Sequence, residues 1–397
     1  MRLILISQLS IFSIFLASQS VFSNPIELDP LTRNDKGKLA INVGSSDPDV
    51  SRLARRAFAL HGGIVVTEPK DASFLVKIEA TGDSSALLTL GSGQPYAEQL
   101  RRIISGRDLQ NAVLLACDLV VEATFKSKGF FAGRLAFVCK QNGFSELYTS
   151  DLLFTRISPL TADRALINGP KWSPDGGSLL YTSYFKSGFP DIYKIDVDSR
   201  RKTPIATFKG LNSGGAFSPD GRQIAMSLSG TGNSEIYVSD SRGKNIRRLT
   251  ANKSLETSPS WSPDGSRLVY TSDAPGKPQL YEISSSGGTA RRIPTNISSY
   301  CSEPVWNPVD ENLIAFTAAV RGGFQIALYD AKKRSSELLT SGASSLEPTW
   351  LRDGRHLVFT QRKGGVIRLM LLDTLTKEVS ALHAPSFGEA SMASYVY

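Results

Sequence analysis

Trp172-Ser-Pro-Asp-Gly176 returns as Phe217-Ser-Pro-Asp-Gly221, Trp261-Ser-Pro-Asp-Gly265 and Trp350-Leu-Arg-Asp-Gly354, with a degenerate copy at Trp306-Asn-Pro308. The aromatic positions 172, 217, 261, 306 and 350 stand 45, 44, 45 and 44 residues apart. A period this long, held over five copies, is the mark of a repeat architecture. After each turn comes a β-rich run, as in Leu179–Ser183, Ile224–Ser227, Leu268–Ser272, Ile314–Thr317 and Leu357–Thr360. A second run follows a polar, glycine-containing turn, as in Ile192–Ile195, Ile236–Val238, Leu280–Ile283, Ile326–Tyr329 and Leu369–Leu372. A short third segment such as Arg247–Thr250, Arg291–Ile293 or Glu337–Thr340 ends the unit. With the segment ahead of the aromatic, each unit has four strands, the content of one propeller blade.

A further copy without the signature precedes Trp172: Gly133–Val138 aligns with Gly221–Ala225, and Glu146–Tyr148 supplies its second run. Six blades are therefore expected between about Phe130 and His383. Their closure has two routes, since the tail Ala384–Tyr395 can add a last strand or blade six can close with its own residues. The Pro-Asp-Gly element has a local cause: Pro presets φ, Asp accepts from nearby amides, and Gly takes φ > 0. Asp175, Asp220, Asp264 and Asp353 are accordingly read as turn residues and not as a catalytic or metal ring, and the aromatics as packing between blades.

Residues 24–128 lack the repeat and read as a small α/β domain. Leu39–Val43, Ile64–Val66, Phe74–Ile78 and Ala86–Leu90 are expected strands. Asp47-Pro-Asp49 caps a helix running through Leu60 with Val50, Leu53, Ala54, Ala57 and Phe58 on one face. Tyr96–Ile104 and Leu109–Phe125 are expected helices, and Gly91-Ser-Gly93 is a turn, too short for a phosphate loop. Ahead of this domain, Arg2 and the apolar stretch Leu3–Ala17 fit a signal peptide and are short for a membrane span. Residues 1–23 are thus expected to be removed, with a mature start near Asn24 and no cysteine there to carry a lipid.

The 397 residues carry 45 Lys and Arg against 37 Asp and Glu, a net charge of +8, with 41% hydrophobic residues. The basic residues are scattered in pairs, Arg55-Arg56, Arg101-Arg102, Arg247-Arg248 and Arg291-Arg292, which describes a solvated surface better than a nucleic-acid footprint. Cys117, Cys139 and Cys301 lack metal-type spacing, and His61, His356 and His383 are far apart in the chain, so neither a zinc constellation nor another cofactor is expected. The thiols read as small buried apolar groups.

An export signal, a small α/β domain and six such repeats, in that order, resemble the TolB family of periplasmic propellers of the Tol–Pal envelope system. The junction Phe125–Gly129 followed by Phe131–Val138 is similar to that family's linker and first blade. The resemblance implies a two-domain protein, residues 24–128 and a propeller over 129–385 with a tail at 386–397. It also implies a monomeric, non-enzymatic binding function in outer-membrane integrity and envelope constriction during division. A Pal-type peptidoglycan-associated lipoprotein would dock over the propeller mouth, through loops just before successive aromatics. The matching positions are Leu211 and Gly214, where the family has His and Ala, and Thr257, which keeps the family's residue type. Glu303 and Glu347, placed equivalently before Trp306 and Trp350, add carboxylates to this rim or cap its turns. Asn24, Pro25, Ile26, Glu27 and Leu28 match the mature N-terminal strand that the family uses toward a TolA-type partner.

Two other functions compete on sequence grounds. A propeller-bearing serine hydrolase needs Gly-x-Ser-x-Gly on a strand–helix elbow with His and Asp partners. No such pentapeptide occurs, and only about 14 residues follow the last blade. A lectin or small-ligand sensor would instead use the channel.

Overall fold

Leu39, Ile41 and Val43 alternate inward along the first strand of a five-stranded sheet, and the rest of the small domain is laid out from it. The computed structural model describes residues 37–93, 95–141 and 143–397. The expected signal peptide and Asn24–Leu28 lie outside them. In chain order the elements are β1 (Leu39–Gly44), α1 (Pro48–Phe58), β2 (Ile64–Val66), β3 (Phe74–Gly82), β4 (Ser85–Ser92), β5 (Ala97–Ser105) and α2 (Leu109–Phe125). The strand order is β2-β1-β3-β4-β5, with β1 parallel to β2 and β3 and the remaining pairs antiparallel.

Both helices begin where an aspartate can accept orphan amides. Asp47 takes the Asp49 and Val50 N–H groups, and Asp108 takes that of Asn111. α2 buries Val113, Leu114, Cys117, Val120 and Val121 against the sheet.

The helix expected over Tyr96–Ile104 is instead the edge strand β5, in register with β4 from Ser92↔Ala97 to Ser85↔Ser105. Leu100, Ile103 and Ile104 have helix-like spacing, but as a strand they divide between faces. Leu100 and Ile104 sit opposite Leu90 and Ala86 on the helix-covered side, whereas Ile103 is 63% exposed. An edge strand with mostly solvated side chains carries no strict alternation, so the period misleads.

The remaining chain forms six four-stranded sheets arranged as a propeller. Blades 2 to 6 each run from inner to outer strand in sequence, starting at Ile167, Asn212, Glu256, Cys301 and Ser344. Blade 1 differs: its innermost strand is Glu389–Val396, paired antiparallel to Arg134–Gln141 with Val396 opposite Arg134. The stretch set apart above as a tail, 386–397, therefore contains a propeller strand, and the ring closes by joining the chain's last strand to its first blade. Tyr395 takes the place of the repeated aromatic, and its hydroxyl donates to the Phe130 carbonyl at 2.9 Å.

The aromatics stitch blades together. Trp172, Trp261 and Trp350 donate Nε1–H to the inner strand of the preceding blade, at Ser394, Ala216 and Val305 carbonyls, 3.0–3.1 Å away. Trp306, whose turn lacks the signature, bonds Glu311 in its own blade. The aspartates close their turns: Asp175, Asp220 and Asp264 each accept from the preceding serine hydroxyl and from an amide two residues on. The following glycines have φ near 70°.

Candidate docking face and central channel

In a blade of antiparallel strands, the first–second and third–fourth turns share one face of the propeller. The second–third hairpin and the connection to the next blade share the other. The small domain sits on the first of these faces, over blades 1 and 6. Arg56 bonds the Leu153 carbonyl and Gln110 bonds Thr155 in blade 1's third–fourth turn, while Arg352 bonds the Gly129 carbonyl and pairs with Glu122. Lys38 pairs with Glu378. The opposite face, where the innermost strands begin, is left open among the described residues.

Along the propeller axis runs a channel of about 610 Å³ lined by the six innermost strands. Each of these strands carries a β-bulge, and at each bulge one residue has φ between 54° and 68°: Gly169, Gly214, Ser258, Glu303, Glu347 and Met392. Proline follows four of them, as Pro170, Pro259, Pro304 and Pro348, where the bulge leaves no ladder bond for an N–H to make.

Side chains offset the left-handed backbone in the last two repeats. The Glu303 carboxylate accepts the Thr317 hydroxyl at 2.7 Å and the Glu347 N–H at 3.1 Å. Glu347 in turn accepts the Thr360 hydroxyl at 2.6 Å and the Met392 N–H at 3.1 Å. Each carboxylate thus holds the bulge of the next blade. Burial, and then the neighbouring Glu303 charge, push the Glu347 carboxyl above its usual range. Lys171 faces the same space; burial lowers its pKa, and Glu303 and Glu347 oppose that shift.

The structure brings Gly214, Glu303 and Glu347 to the channel wall but leaves Leu211 and Thr257 off it. Four of the five do not lie in loops: Gly214, Thr257, Glu303 and Glu347 are on innermost strands, and Leu211 alone belongs to a connection. Their equivalence also needs correcting. Thr257 is paired with Thr271 one residue ahead of the bulge, so Ser258 is the counterpart of Gly214, Glu303 and Glu347. Sequence reading missed Ser258, Gly169, Met392 and Lys171, although a proline two positions before the aromatic marks Gly169 and Ser258.

The open face also carries exposed apolar side chains on blades 2 to 4: Leu166, Phe185, Phe189, Phe208 and Leu255, between 45% and 65% exposed. Hydrogen bonds organise the loops that hold them. The Tyr184 N–H donates to the Leu166 carbonyl, and the buried Asn212 amide donates to the Pro190 and Phe208 carbonyls. The Leu255 N–H donates to Asp273. Arg164, Lys186, Lys209 and Lys253 are exposed in the same loops, and Lys277 in the neighbouring blade 4 hairpin. Of the histidines, His383 accepts the Leu369 N–H at Nε2, and His61 and His356 are buried under the small domain. The three cysteines are buried and form no disulfide among the described residues.

The profile of the TolB beta propeller domain matches residues 121–395. The chain belongs to the TolB beta-propeller family. Among curated relatives it is 35% identical over 174 residues to the Tol-Pal system protein TolB of Chromobacterium violaceum, 40% of this chain and 38% of that one. With the Tol-Pal system protein TolB of Anaeromyxobacter sp. strain K it shares 31% identity over 98 residues, 25% of this chain and 22% of the relative. These alignments span well under half the length of the curated relatives. In three dimensions the TolB of Acinetobacter baumannii superposes with a TM-score of 0.79 at 21% identity, covering 91% of this chain and 97% of that one. That likeness extends the shared fold across both the small domain and the propeller. A putative TolB from Agrobacterium tumefaciens gives a TM-score of 0.52 at 22% identity, over 66% of this chain and 98% of its own.

Proposed function

We propose that this TolB-family chain is a non-enzymatic docking component of a Tol–Pal system in the periplasm, receiving a Pal-type peptidoglycan-associated lipoprotein on the face opposite its small domain. The observation that carries the reading is the apolar patch Leu166, Phe185, Phe189, Phe208 and Leu255, edged by exposed lysines and an arginine on the same loops. Clustered exposed aromatics on a monomer are characteristic of an interaction surface. The excess of exposed basic side chains around them favours a partner with an acidic rim and speeds its approach. Gly214, Thr257, Glu303 and Glu347 lie inward of this patch and shape the mouth the partner covers, and Leu211 lies on its rim. Contact with a TolA-type protein through Asn24–Leu28 belongs to the same proposal, as do the roles in outer-membrane integrity and division.

The test is binding of the mature chain to the soluble domain of a Pal-type lipoprotein from the same organism, by surface plasmon resonance. Phe189→Asp and Thr257→Arg are each expected to weaken the complex at least tenfold, while Ile103→Asp on the small domain leaves it unchanged. Absence of a complex with wild type, or affinity untouched by both rim substitutions, sinks the proposal. A melting shift with glycans and none with the lipoprotein domain would point to a ligand in the channel instead.

A further inference from the structure

His61 and His356 are 295 residues apart in sequence, yet the fold brings their rings edge to face with centroids 4.8 Å apart. His61 belongs to the link between α1 and β2. His356 and Asp373 face each other on paired strands of blade 6. The three meet at the joint between small domain and propeller, roofed by Phe125 and Phe130, whose rings lie 4.6 and 5.9 Å from His61. One donor atom from each of His61, His356 and Asp373 lies within 4.8 Å of the others. His61 is 1% exposed and His356 0%, and the Nε2 atom of each is buried without a hydrogen-bond partner. Two orphaned ring nitrogens in one closed pocket call for an explanation.

We propose that His61, His356 and Asp373 form a three-donor site for a borderline divalent transition metal, zinc being the type case, that ties the small domain to blade 6. Imidazole nitrogen and carboxylate oxygen are the ligands such ions take in tetrahedral sites at about 2.0–2.2 Å, which sets donor–donor edges of about 3.4 Å. His356 Nε2 and Asp373 Oδ2 already stand 3.4 Å apart. Closing the remaining edges asks for a movement of at most about 1.4 Å from the observed 4.8 Å. Gly62 allows the loop its present close approach to blade 6, because a Cβ there would lie 2.5 Å from Asp373 Oδ2.

The surroundings prepare His356 in particular. Its Nδ1 faces Asp353 Oδ2 at 2.6 Å and its Nε2 faces Asp373 Oδ2. Burial lowers its pKa but the two carboxylates outweigh that, so ligation through Nε2 displaces a proton there while Asp353 keeps the one on Nδ1. Two features temper the affinity. Arg355 bonds both Asp373 oxygens, at 2.9 and 2.7 Å, so the metal shares Oδ2 with a guanidinium. Asp353 and Asp373 against Arg355 still leave one net negative charge with neutral rings. His61 Nδ1 now accepts the Gly63 N–H at 3.1 Å, and ligation through Nε2 moves the ring proton to Nδ1 and gives up that bond.

The experiment uses the full mature chain stripped with EDTA. Zinc is titrated by competition with a chromogenic indicator, and cobalt(II) by its visible d–d absorption. The expected result is one ion per chain, a cobalt spectrum of tetrahedral nitrogen and oxygen ligation without a thiolate charge-transfer band, and a raised melting temperature. His61→Asn, whose amide oxygen can still accept the Gly63 N–H, is expected to match wild type in melting temperature under EDTA yet bind at least tenfold more weakly. His356→Gln serves as the second variant. Failure of wild type to bind stoichiometrically, a thiolate spectrum, or unchanged binding in His61→Asn overturns the proposal.

Discussion

Asp118 predicts an inverted pH dependence of stability. It projects from α2 into the joint with the propeller and is 2% exposed. Its carboxylate accepts the Phe131 and Ala132 N–H groups at 2.6 and 3.0 Å and the Tyr397 hydroxyl at 2.9 Å. These bonds and the nearby Arg352 favour the charged form, but burial outweighs them and lifts the pKa from 3.8 to about 6. Between those values the folded protein holds a proton that the unfolded chain has lost. The resulting stability is present at low pH and declines as pH rises through about 6. The raised pKa then costs folding, relative to the fully protonated reference, about 2 kcal/mol at pH 5 and about 3 kcal/mol at pH 7, a difference of about 1 kcal/mol.

The assay is urea denaturation of wild type and Asp118→Asn at pH 5 and pH 7. The variant is less stable throughout, because its amide presents N–H where Ala132 and Tyr397 need an acceptor. The readout is therefore the change between the two pH values. Other titrating groups cancel in the comparison; Asp264, held near 2 by the Ser262 hydroxyl, titrates well below the window. Wild type is expected to lose about 1 kcal/mol more than the variant on going from pH 5 to pH 7. Equal slopes, or a wild type that gains stability, would refute the claim that burial dominates at Asp118.

Glu303→Ala strips the acceptor from the Thr317 hydroxyl and leaves the Glu347 N–H only its longer bond to the Thr317 oxygen, and is expected to destabilise by about 1–2 kcal/mol, read in the same urea transition. Trp261→Phe loses the Nε1–H bond to the Ala216 carbonyl of the neighbouring blade and is expected to cost about 1–2 kcal/mol from the bond and the lost ring volume. Removing residues 389–397 takes the innermost strand out of blade 1, and the product is expected to show no cooperative melt by circular dichroism. A cooperative melt near the wild-type temperature would mean that blade 1 closes without that strand.

The repeat was legible because each blade solves the same local problem with the same residues. Asp175, Asp220 and Asp264 close turns within a few residues of themselves, and a local cause leaves a local signature. The closing strand obeys another rule. Tyr395 packs where a repeat aromatic would, but its strand lacks the Pro-Asp-Gly signature, and its place is set by contacts far along the chain, above all by pairing with Arg134–Lys140, some 255 residues upstream. β5 failed for the opposite reason: its environment is solvent, and an edge strand imposes little pattern on its side chains.

At the candidate site the same division holds. Gly214, Glu303 and Glu347 each stand three residues before the repeat aromatic, at the bulge, whereas Thr257, taken from the family resemblance, stands four before Trp261 and leaves the bulge position to Ser258. The outer apolar patch left no trace, since its residues come from four separate connections that converge only when blades 2 to 4 are set side by side. His61 and His356 make the point most sharply. Each alone reads as a buried histidine, and only the docking of the small domain onto blade 6 gives the two orphaned nitrogens a common pocket. Chemistry assembled across the joint is invisible to any reading by spacing, so the joint, together with the open face, is where the function of this propeller has to be tested.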